Sequence, residues 1–432
     1  MLKEKYQSYY TGIFILLISC VSFYKYSNFA MKLLLIASVL LFSSAASSQD
    51  FCSTSYFDTT DVFSESQIIS EVRTYGKNRD WKGNMVDLDL QIFRPAVTAA
   101  FAKLPMIIMI HGGGFVGGTY NGMQRDASYL AKKGFICVSI DYRLGWDNEN
   151  PLKGYTVIPA YYRAAQDARA AIRYMVKNAD TYNVDTSSIF VFGRSAGAVT
   201  ALFTAFYSQE EFDRLLRGVS DSLGGINNAT NSIVADYTIK GVSSVAGAVL
   251  DTSVINADDA MPVIMYHSTG DEVIPFGAGH GYNNPQTPEM HGSSVIKDRL
   301  EELNEAYELC YQEGGSHGSI YEDNPAFMYQ QLSHFFKRIF CKNKKQIIYN
   351  NITLLQDEQI NCLSAYPGKI ASAQTFFCGA DSVILTSTAY TQGYGSSFQW
   401  QYSYDRSEWV NASNASNPAY AKIGNLDSTT YF

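Results

Sequence analysis

One stretch, residues 187–207, constrains the fold more than any other. Residues 189–192 are β-branched or aromatic, which predicts a strand buried on both faces of a parallel sheet. From Ala196 onward the residues are small or apolar and predict a buried helix. The segment between them, Gly-Arg-Ser-Ala-Gly at 193–197, must turn from strand to helix within about two residues. Such a turn exposes the hydroxyl of Ser195 above the sheet.

The pattern Gly-x-Ser-x-Gly is weak by itself. It arises by chance in roughly one chain in five of this length and glycine content, and a glycine-rich turn with a serine helix cap is the alternative. Two features favour a nucleophile. The flanking glycines leave room for a sharp turn, and Ser195 lies at a helix N-terminus, where free N–H groups stabilise developing negative charge.

Strands and helices alternate through residues 50–342. An antiparallel hairpin at 68–75 and 85–94 precedes buried strands at 105–110, 135–140, 189–192, 242–250, 262–266 and 307–311. Helical spacing covers 120–133, 159–177, 295–305 and 328–340, with Asp167 and Arg169 assigned to the surface of the second helix. Residues 209–240 are interpreted as a cap or an irregular excursion near the site. The alternation predicts an α/β fold with a mostly parallel sheet flanked by helices.

Three consecutive glycines follow the first buried strand. Residues 111–115 read His-Gly-Gly-Gly-Phe. Three glycines in a row are costly unless backbone N–H groups must point into a site, because glycine loses more conformational freedom than any other residue on folding. A flexible loop is the alternative, but it would not require a buried strand directly before it. His111 is expected to hold the shape of this loop.

These motifs resemble the α/β-hydrolase family, most of all its carboxylesterases and hormone-sensitive-lipase-like members. The resemblance covers residues 65–341 and rests on five motifs in the family's order: residues 111–115, 141–144, 193–197, Gly270-Asp271 with Pro275, and His317. It implies that Ser195 is the nucleophile, Asp271 the carboxylate and His317 the general base. An oxyanion hole formed by the backbone N–H groups of Gly113, Gly114 and Ala196 is implied as well.

The residues themselves agree with this assignment. A serine hydroxyl is a poor nucleophile until a base takes its proton, and the base needs a carboxylate to fix its tautomer. Asp271 and His317 both follow strands, so they belong with Ser195 at the carboxyl edge of the sheet. Glu272 is the rival acid. The other histidines considered, at 267, 280 and 291, are interpreted as structural or pocket-lining, and no functional interpretation is available for Arg194.

Loop position suggests which side chains contact a substrate. Phe115 and Tyr142 are the predicted substrate-binding residues, with Tyr120 and Trp146 as further candidates. No cysteine spacing matches a zinc site, and the predicted chemistry needs neither a metal nor another cofactor. Net charge is −8 and there is no basic cluster, which argues against nucleic acid as a partner.

The N-terminus indicates export. Residues 33–42 are apolar, follow Lys32 and precede small residues at 43–48, which is the pattern of a secretory signal peptide. Residues 1–48 are therefore assigned to an extension and a signal peptide, with Met31 as the expected natural start. A tethered N-terminal helix is the alternative, although neither this run nor an earlier one at residues 13–23 reaches the roughly 20 residues of a membrane span. The expected location is secreted or at the cell surface.

An oxidising compartment permits disulfides between the seven cysteines. Cys137 lies in a buried strand and is expected to be a free thiol. Cys310 and Cys341 end a strand and a helix, so they are the candidate disulfide pair.

The composition changes after the last helix. Residues 343–360 are interpreted as a linker, and residues 361–432 resemble part of an immunoglobulin-like module of secreted bacterial enzymes, with strands near 381–386, 398–403 and 409–410. Such an all-β sandwich would still need its last strands at Phe432, so the chain is expected to be a fragment of a longer protein. Attachment to a cell surface through the missing part is a further expectation.

Three functions fit these observations. The first is a secreted serine esterase that forms an acyl-enzyme at Ser195, with short acyl, acetyl or feruloyl esters, either small molecules or linked to polysaccharide, as substrates. The second is a serine peptidase of the same fold, and the third is a non-catalytic surface binding protein. Ser195, Asp271 and His317 argue against the third, because nothing structural requires all three residues.

Overall fold

The computed structural model describes residues 51–96 and 101–359, and beyond them the backbone of strands at 369–372, 380–388, 401–402, 410–411 and 420–426. Residues 1–50 lie outside the described residues, so the signal peptide and the start at Met31 stay predictions. Among the described residues, no helix combines the length and the apolarity that a membrane span requires.

A ten-stranded mixed sheet forms the centre of residues 68–359. Its strands, in chain order, are β1 (Ile68–Arg79), β2 (Met85–Pro95), β3 (Leu104–Ile110), β4 (Ile136–Ile140), β5 (Val184–Arg194), β6 (Ile239–Val245), β8 (Val263–Ser268), β11 (Tyr307–Gln312), β12 (Lys345–Asn350) and β13 (Thr353–Gln359). The order in space is β1-β2-β4-β3-β5-β6-β8-β11-β12-β13. Seven strands that are adjacent in space, β4, β3, β5, β6, β8, β11 and β12, run parallel. At the two edges, β1 pairs antiparallel with β2, β2 with β4, and β13 with β12.

A second, small sheet has the order β7-β10-β9. Its strands are β7 (Ala248–Val249), β9 (Ala278–His280) and β10 (Glu289–Gly292). The single strand predicted at 242–250 is therefore divided between β6 and β7. The division falls at Ala246, whose φ of +53° turns the chain out of the central sheet.

Helices connect the parallel strands. They are α1 (Gln124–Lys132), α2 (Ile158–Lys177), α3 (Ala179–Tyr182), α4 (Ala196–Phe206), α5 (Gln209–Leu215), α6 (Val219–Leu223), α7 (Ser293–Glu302), α8 (Ser319–Glu322) and α9 (Pro325–Phe340). Every residue of β3 and β4 is buried, which requires cover on both faces of the sheet. The predicted α/β architecture is confirmed.

Helix α2 is buried on all sides over most of its length, since every residue from Ala160 to Arg173 is buried. The prediction that Asp167 and Arg169 lie on the surface of this helix is wrong, because both side chains are buried. Asp167 forms an ion pair of 2.9 Å with Arg143, and Arg169 donates to the carbonyl oxygens of Thr204 and Tyr207. Residues 224–231 supply further acceptors, among them the side-chain oxygen of Asn227. The polar excursion therefore covers α2, and residues 209–240 do not line the pocket beside Ser195.

A disulfide joins Cys52 to Cys341. The expected pair of Cys310 with Cys341 is wrong, since Cys310 is a fully buried free thiol in the interior of β11. Aromatic packing brings the lead-in segment to the end of α9, where the ring of Phe51 contacts the ring of Phe340 at 5.2 Å. Cys137 is buried and free, as predicted.

The sheet continues past residue 342, where the predicted alternation of strands and helices ends. Residues 345–359 form β12 and β13, so most of the segment interpreted as a linker belongs to the central sheet. Further along, the backbone forms β14 (Lys369–Ser372), β15 (Ala380–Thr388) and β18 (Tyr420–Leu426) in one antiparallel sheet, and β16 (Gln401–Tyr402) with β17 (Val410–Asn411) in another. The immunoglobulin-like module stays a prediction, because most of residues 361–432 lie outside the described residues.

Candidate active site

The turn between β5 and α4 presents Ser195. Its φ of +53° and ψ of −123° are values that a residue with a side chain rarely adopts. Both flanking glycines are required by close packing. A Cβ atom at Gly193 would lie 2.0 Å from the carbonyl oxygen of Gly197, and one at Gly197 would lie 2.0 Å from that of Ile110. The expected sharp turn, with its glycines on either side of the serine, is present.

His317 lies between Ser195 and Asp271. Its Nε2 atom is 2.7 Å from the Oγ of Ser195, and its Nδ1 atom is 2.7 Å from Oδ2 of Asp271. A carboxylate only accepts hydrogen bonds, so Nδ1 carries the proton and Nε2 is left to accept the serine proton. The three residues follow β5, β8 and β11, and they meet at the carboxyl edge of the parallel sheet.

The carboxylate of Asp271 is held from both sides. Its Oδ1 atom accepts hydrogen bonds from the backbone N–H groups of Val273 and Ile274, at 2.8 and 2.9 Å. Burial acts to raise the pKa of Asp271, but hydrogen bonds from His267 and His317 outweigh it and hold the pKa well below the ordinary aspartate value. The neighbouring Glu272 is exposed. Of the two candidate acids, Asp271 is the one in contact with His317.

The glycine loop after β3 passes close to the serine. A Cβ atom on Gly112 would lie 3.2 Å from the Cβ of Ser195. Gly113 and Gly114 have positive φ values, +116° and +61°. Within the described part of the chain, the backbone N–H groups of Gly113, Gly114 and Ala196 have no acceptor. Free donors beside a nucleophile are what an oxyanion hole requires.

The same loop is supported from behind by His111 and Tyr142. The two rings stack at 4.5 Å, and the hydroxyl of Tyr142 donates to the carbonyl oxygen of His111 at 3.0 Å. His111 donates from Nδ1 to the carbonyl oxygen of Gly112 at 2.6 Å, and burial lowers its pKa, which favours the neutral ring. The expected structural role of His111 matches these contacts. Tyr142, expected to contact substrate, is only 2% exposed and packs against the loop instead.

A small apolar pocket adjoins Ser195. It has a cavity volume of about 20 Å³ and is lined by Gly114, Phe115, Trp146, Val157, Tyr161, Ser195, Ala196, Val273, Ile274, Gly281, Tyr282, Thr287 and Met290. Phe115 and Trp146 therefore lie where loop position suggested, whereas Tyr120 does not line the pocket. The wall formed by residues 273–290 was missed by the sequence analysis. Its one sequence signal is the apolar pair Val273-Ile274 directly after the acid.

Arg194, which had no functional interpretation, is anchored away from the pocket. Its guanidinium forms a buried ion pair with Asp126 of α1. Asp126 also accepts a hydrogen bond of 2.8 Å from the hydroxyl of Tyr329 in α9. The guanidinium lies 5.0 Å from the ring centre of Tyr321 in α8. Arg194 thus connects the serine turn to the helices that follow His317.

Metal ligation was considered separately. Among the described residues, no group of three or more His, Cys, Asp or Glu side chains is arranged to hold a metal ion.

Family models match two parts of the chain. The model described as BD-FAE matches residues 90–261, which include the glycine loop and the serine turn. A domain of unknown function, DUF8696, matches residues 366–432. Neither match reaches His317.

Curated relatives share the same region. The chain is 32% identical over 154 residues to Secreted lipase 1 of Botryotinia fuckeliana, covering 34% of this chain and 26% of that protein. It is 30% identical over 125 residues to Fumonisin B1 esterase of Sphingopyxis macrogoltabida, covering 26% of this chain and 22% of that protein. The chain thus spans about a quarter of the length of each.

A solved structure aligns over more of the chain. A thermophilic esterase of Thermogutta terrifontis with bound propionate is 18% identical, and the alignment covers 63% of this chain and 94% of that chain with a TM-score of 0.42. The α/β fold of this chain is shown by the order and direction of its own strands.

Proposed function

We propose that this chain, an α/β-hydrolase related in sequence to lipases and esterases, is a secreted serine hydrolase of carboxylic esters. The observation that carries the proposal is the unbroken series of contacts from Ser195 through His317 to Asp271, each 2.7 Å long, beside three free backbone N–H groups. That combination serves acyl transfer and has no evident structural purpose.

The chemistry follows from the geometry. His317 takes the proton of Ser195 through Nε2 as the serine oxygen attacks the ester carbonyl. The N–H groups of Gly113, Gly114 and Ala196 stabilise the negative charge that forms on the carbonyl oxygen. One such donor typically lowers the activation barrier by on the order of 3 kcal/mol. The imidazolium, stabilised by Asp271, then returns the proton to the leaving alcohol, and water releases the acyl group by the same steps.

The pocket supports a short acyl group. Its volume of about 20 Å³ is only slightly larger than the volume that one water molecule needs. Its walls are mostly apolar or aromatic. An acetyl group requires the least rearrangement of this wall, whereas a feruloyl or long fatty acyl group requires side chains to move. Acetyl and other short acyl esters, free or linked to polysaccharide, are the proposed substrates.

A chromogenic ester series tests the proposal. Residues 51–359, the part with a continuous sheet, and the full chain are compared for hydrolysis of acetyl to palmitoyl esters, each with its Ser195→Ala form. We expect turnover that is greatest for acetyl to butyryl esters and is abolished by Ser195→Ala. If a folded wild-type chain hydrolyses no member of the series, the esterase proposal is wrong, and peptide substrates become the next test of the same three residues.

Location is tested apart from activity. Expression of the full chain in a bacterial host with a secretion pathway is expected to deliver a product that begins between residues 46 and 50 in the medium or periplasm. A product that keeps its N-terminus and stays with the cells would contradict secretion without bearing on the esterase chemistry.

A further inference from the structure

A second histidine shares the carboxylate of Asp271. His267, at the end of β8, is fully buried. Its Nε2 atom lies 3.3 Å from Oδ2 of Asp271, the oxygen that also accepts from His317, and 3.1 Å from the carbonyl oxygen of Ile274. The edge of the ring packs against Phe276 at 5.6 Å. Since Nε2 faces two acceptors, it must carry a proton to be tolerated there.

The other ring nitrogen faces a hydroxyl group. Nδ1 of His267 is 2.8 Å from the hydroxyl of Ser293, the first residue of α7, which is also fully buried. In the tautomer with the ring proton on Nε2, Nδ1 accepts a hydrogen bond from the serine hydroxyl. In the opposite tautomer, the lone pair of Nε2 would face two oxygen atoms, with no donor between them.

We infer that His267 is a positioning residue for ester hydrolysis, which orients the Asp271 carboxylate and limits the negative charge that its Oδ2 atom presents to His317. The inference rests on the proposed function and deepens it. Ser293 acts one step further out, because it fixes the tautomer in which His267 can donate. The series Ser293, His267, Asp271, His317 and Ser195 runs from α7 to α4.

The hydrogen bond from His267 to Asp271 has two expected effects, one on the protonation of His317 and one on its geometry. A hydrogen bond to Oδ2 takes part of the charge that would otherwise stabilise the His317 imidazolium, so losing the bond favours the protonated ring. The same bond, together with the N–H groups of Val273 and Ile274, fixes the carboxylate, so losing it loosens the geometry of the base. Removal of His267 should therefore move the acid limb of the pH–rate profile to higher pH. It should also lower the rate on the plateau of that profile.

Other charged groups face the same region and must be held constant. Tyr321 of α8 lies near Asp271, and burial raises the pKa of its hydroxyl well clear of the range in which the acid limb is measured. Arg194 lies against the same ring and is paired with Asp126. Neither is changed in the variants below, so a shift in the acid limb reports on the histidine pair and its carboxylate.

Two substitutions at one position separate donation from packing. In His267→Gln, the amide nitrogen lies as many bonds from the backbone as Nε2 does and can still donate to Asp271. In His267→Asn, the amide ends at the place of Nδ1 and cannot reach it. We expect His267→Asn to move the midpoint of the acid limb of kcat/KM upward by about 0.5 pH unit and to lower plateau kcat on the order of tenfold, with KM little changed. His267→Gln should recover most of both effects.

A structural role alone gives a different result. It lowers the active fraction equally at every pH and leaves the midpoint in place once rates are corrected by active-site titration. If His267→Asn keeps the wild-type midpoint and plateau rate, or if His267→Gln fails in the same way as His267→Asn, the inference is wrong. Should His267→Asn not fold, Ser293→Ala decides: it must move the midpoint in the same direction by a smaller amount, and an unchanged midpoint overturns the inference.

A measurement without substrate separates this inference from the proposed function. The chain has six histidines, so ¹⁵N-histidine NMR can follow each ring. His267 should show the Nε2–H tautomer, and the titration midpoint of His317 should rise in His267→Asn but not in His267→Gln. Failure of the wild-type chain to hydrolyse esters would refute the proposed function and, with it, the role of His267 in hydrolysis. An Nδ1–H tautomer at His267 in a chain that does hydrolyse esters would refute this inference alone.

Discussion

The backbone of Ser195 is held in a conformation that disfavours any side chain. Its φ is +53°, and its N–H donates to the carbonyl oxygen of Val245 in β6 at 2.8 Å. A residue held in such a region typically costs on the order of 1–3 kcal/mol, which the surrounding structure must offset. The strain is located at the one residue whose hydroxyl must project from the sheet.

Removal of that strain should be measurable as stability. Ser195→Ala keeps a Cβ atom and hence the strain, whereas Ser195→Gly removes both. Because the gain at positive φ exceeds the entropy that glycine adds to the unfolded chain, we expect Ser195→Gly to have a free energy of unfolding about 1 kcal/mol higher than Ser195→Ala. Urea denaturation measures the difference. Equal stabilities, with neither variant hydrolysing esters, would show that the turn is not strained.

Asp271 and Glu272 offer a comparison between adjacent carboxylates. Asp271→Asn leaves the shape of the site but presents an amide to Nδ1 of His317, so we expect kcat to fall on the order of 10⁴-fold. Glu272→Gln, at an exposed neighbour, should leave kcat within about twofold. Steady-state kinetics on one ester at fixed pH decides. A large loss in both variants would assign the acid to neither residue alone.

Asp271 also links stability to pH. Its folded pKa lies below the unfolded value of about 3.9, so the ionised side chain stabilises the folded state above that value. This contribution is lost as pH falls below about 4, because the unfolded chain then binds the proton more readily. We expect the free energy of unfolding of Asp271→Asn to depend less on pH than that of wild type between pH 5 and pH 2. Urea denaturation of both proteins at several pH values in this range measures the difference. Equal pH dependence in the two proteins would contradict the prediction.

At the scale of elements, one wall of the pocket beside Ser195 comes from the segment between β8 and α7. Met290, in β10, is buried against the space next to Ser195. Shortening this side chain should enlarge the acyl pocket, because a core cavity refills only in part after a large-to-small substitution. If the proposed function holds, the segment that follows Asp271 in sequence is therefore expected to limit the size of the acyl group.

Met290→Ala should therefore shift the preferred ester toward longer acyl chains, by roughly one to three methylene groups. Met328→Ala in α9 is the control, since Met328 is equally buried but does not line the pocket. Both variants should lose about 2–4 kcal/mol of stability. Only Met290→Ala should change the ratio of hexanoyl to acetyl hydrolysis. A shift of similar size in the control would attribute the change to a loosened core.

Element types were largely predictable from sequence, whereas contacts between distant segments were not. Buried strands such as β3 and β5 carry their own signal in continuous apolar runs, and the two glycines around Ser195 mark the turn. No such signal in the sequence indicated where the side chain of Tyr142 packs. Whether a tyrosine after a strand faces a ligand or packs behind a loop depends on His111, 31 positions away. Asp167 was misjudged for the same reason, because its cover comes from residues beyond α6.

At the scale of the whole molecule, the catalytic domain is closed by the bond between Cys52 and Cys341. This bond spans 289 residues and limits the conformational freedom of the unfolded chain, a contribution on the order of 6 kcal/mol in the loop-entropy model. The pairing could not be read from the sequence, because the partner of Cys341 lies in a polar lead-in without regular periodicity. The aromatic contact of Phe51 with Phe340 supplies the proximity.

Cys52→Ser should lower the melting temperature by several degrees while leaving hydrolysis at 25 °C intact, since the bond lies away from Ser195. A thiol reductant should lower the melting temperature of wild type to that of Cys52→Ser and have no effect on the variant. Calorimetry with and without reductant tests both statements. A further loss in the reduced variant would point to a second disulfide.

The same bond closes residues 52–341 into a covalent loop, so one proteolytic cut inside the loop does not separate the chain into two molecules. The turn at residues 80–84 is exposed and lies between β1 and β2. A single cut there divides the backbone but leaves both pieces attached, because Cys52 lies on one piece and Cys341 on the other. A nicked enzyme would therefore migrate as one band on a denaturing gel until a thiol is added. Its two parts would also unfold and refold together, as one molecule with a new pair of ends.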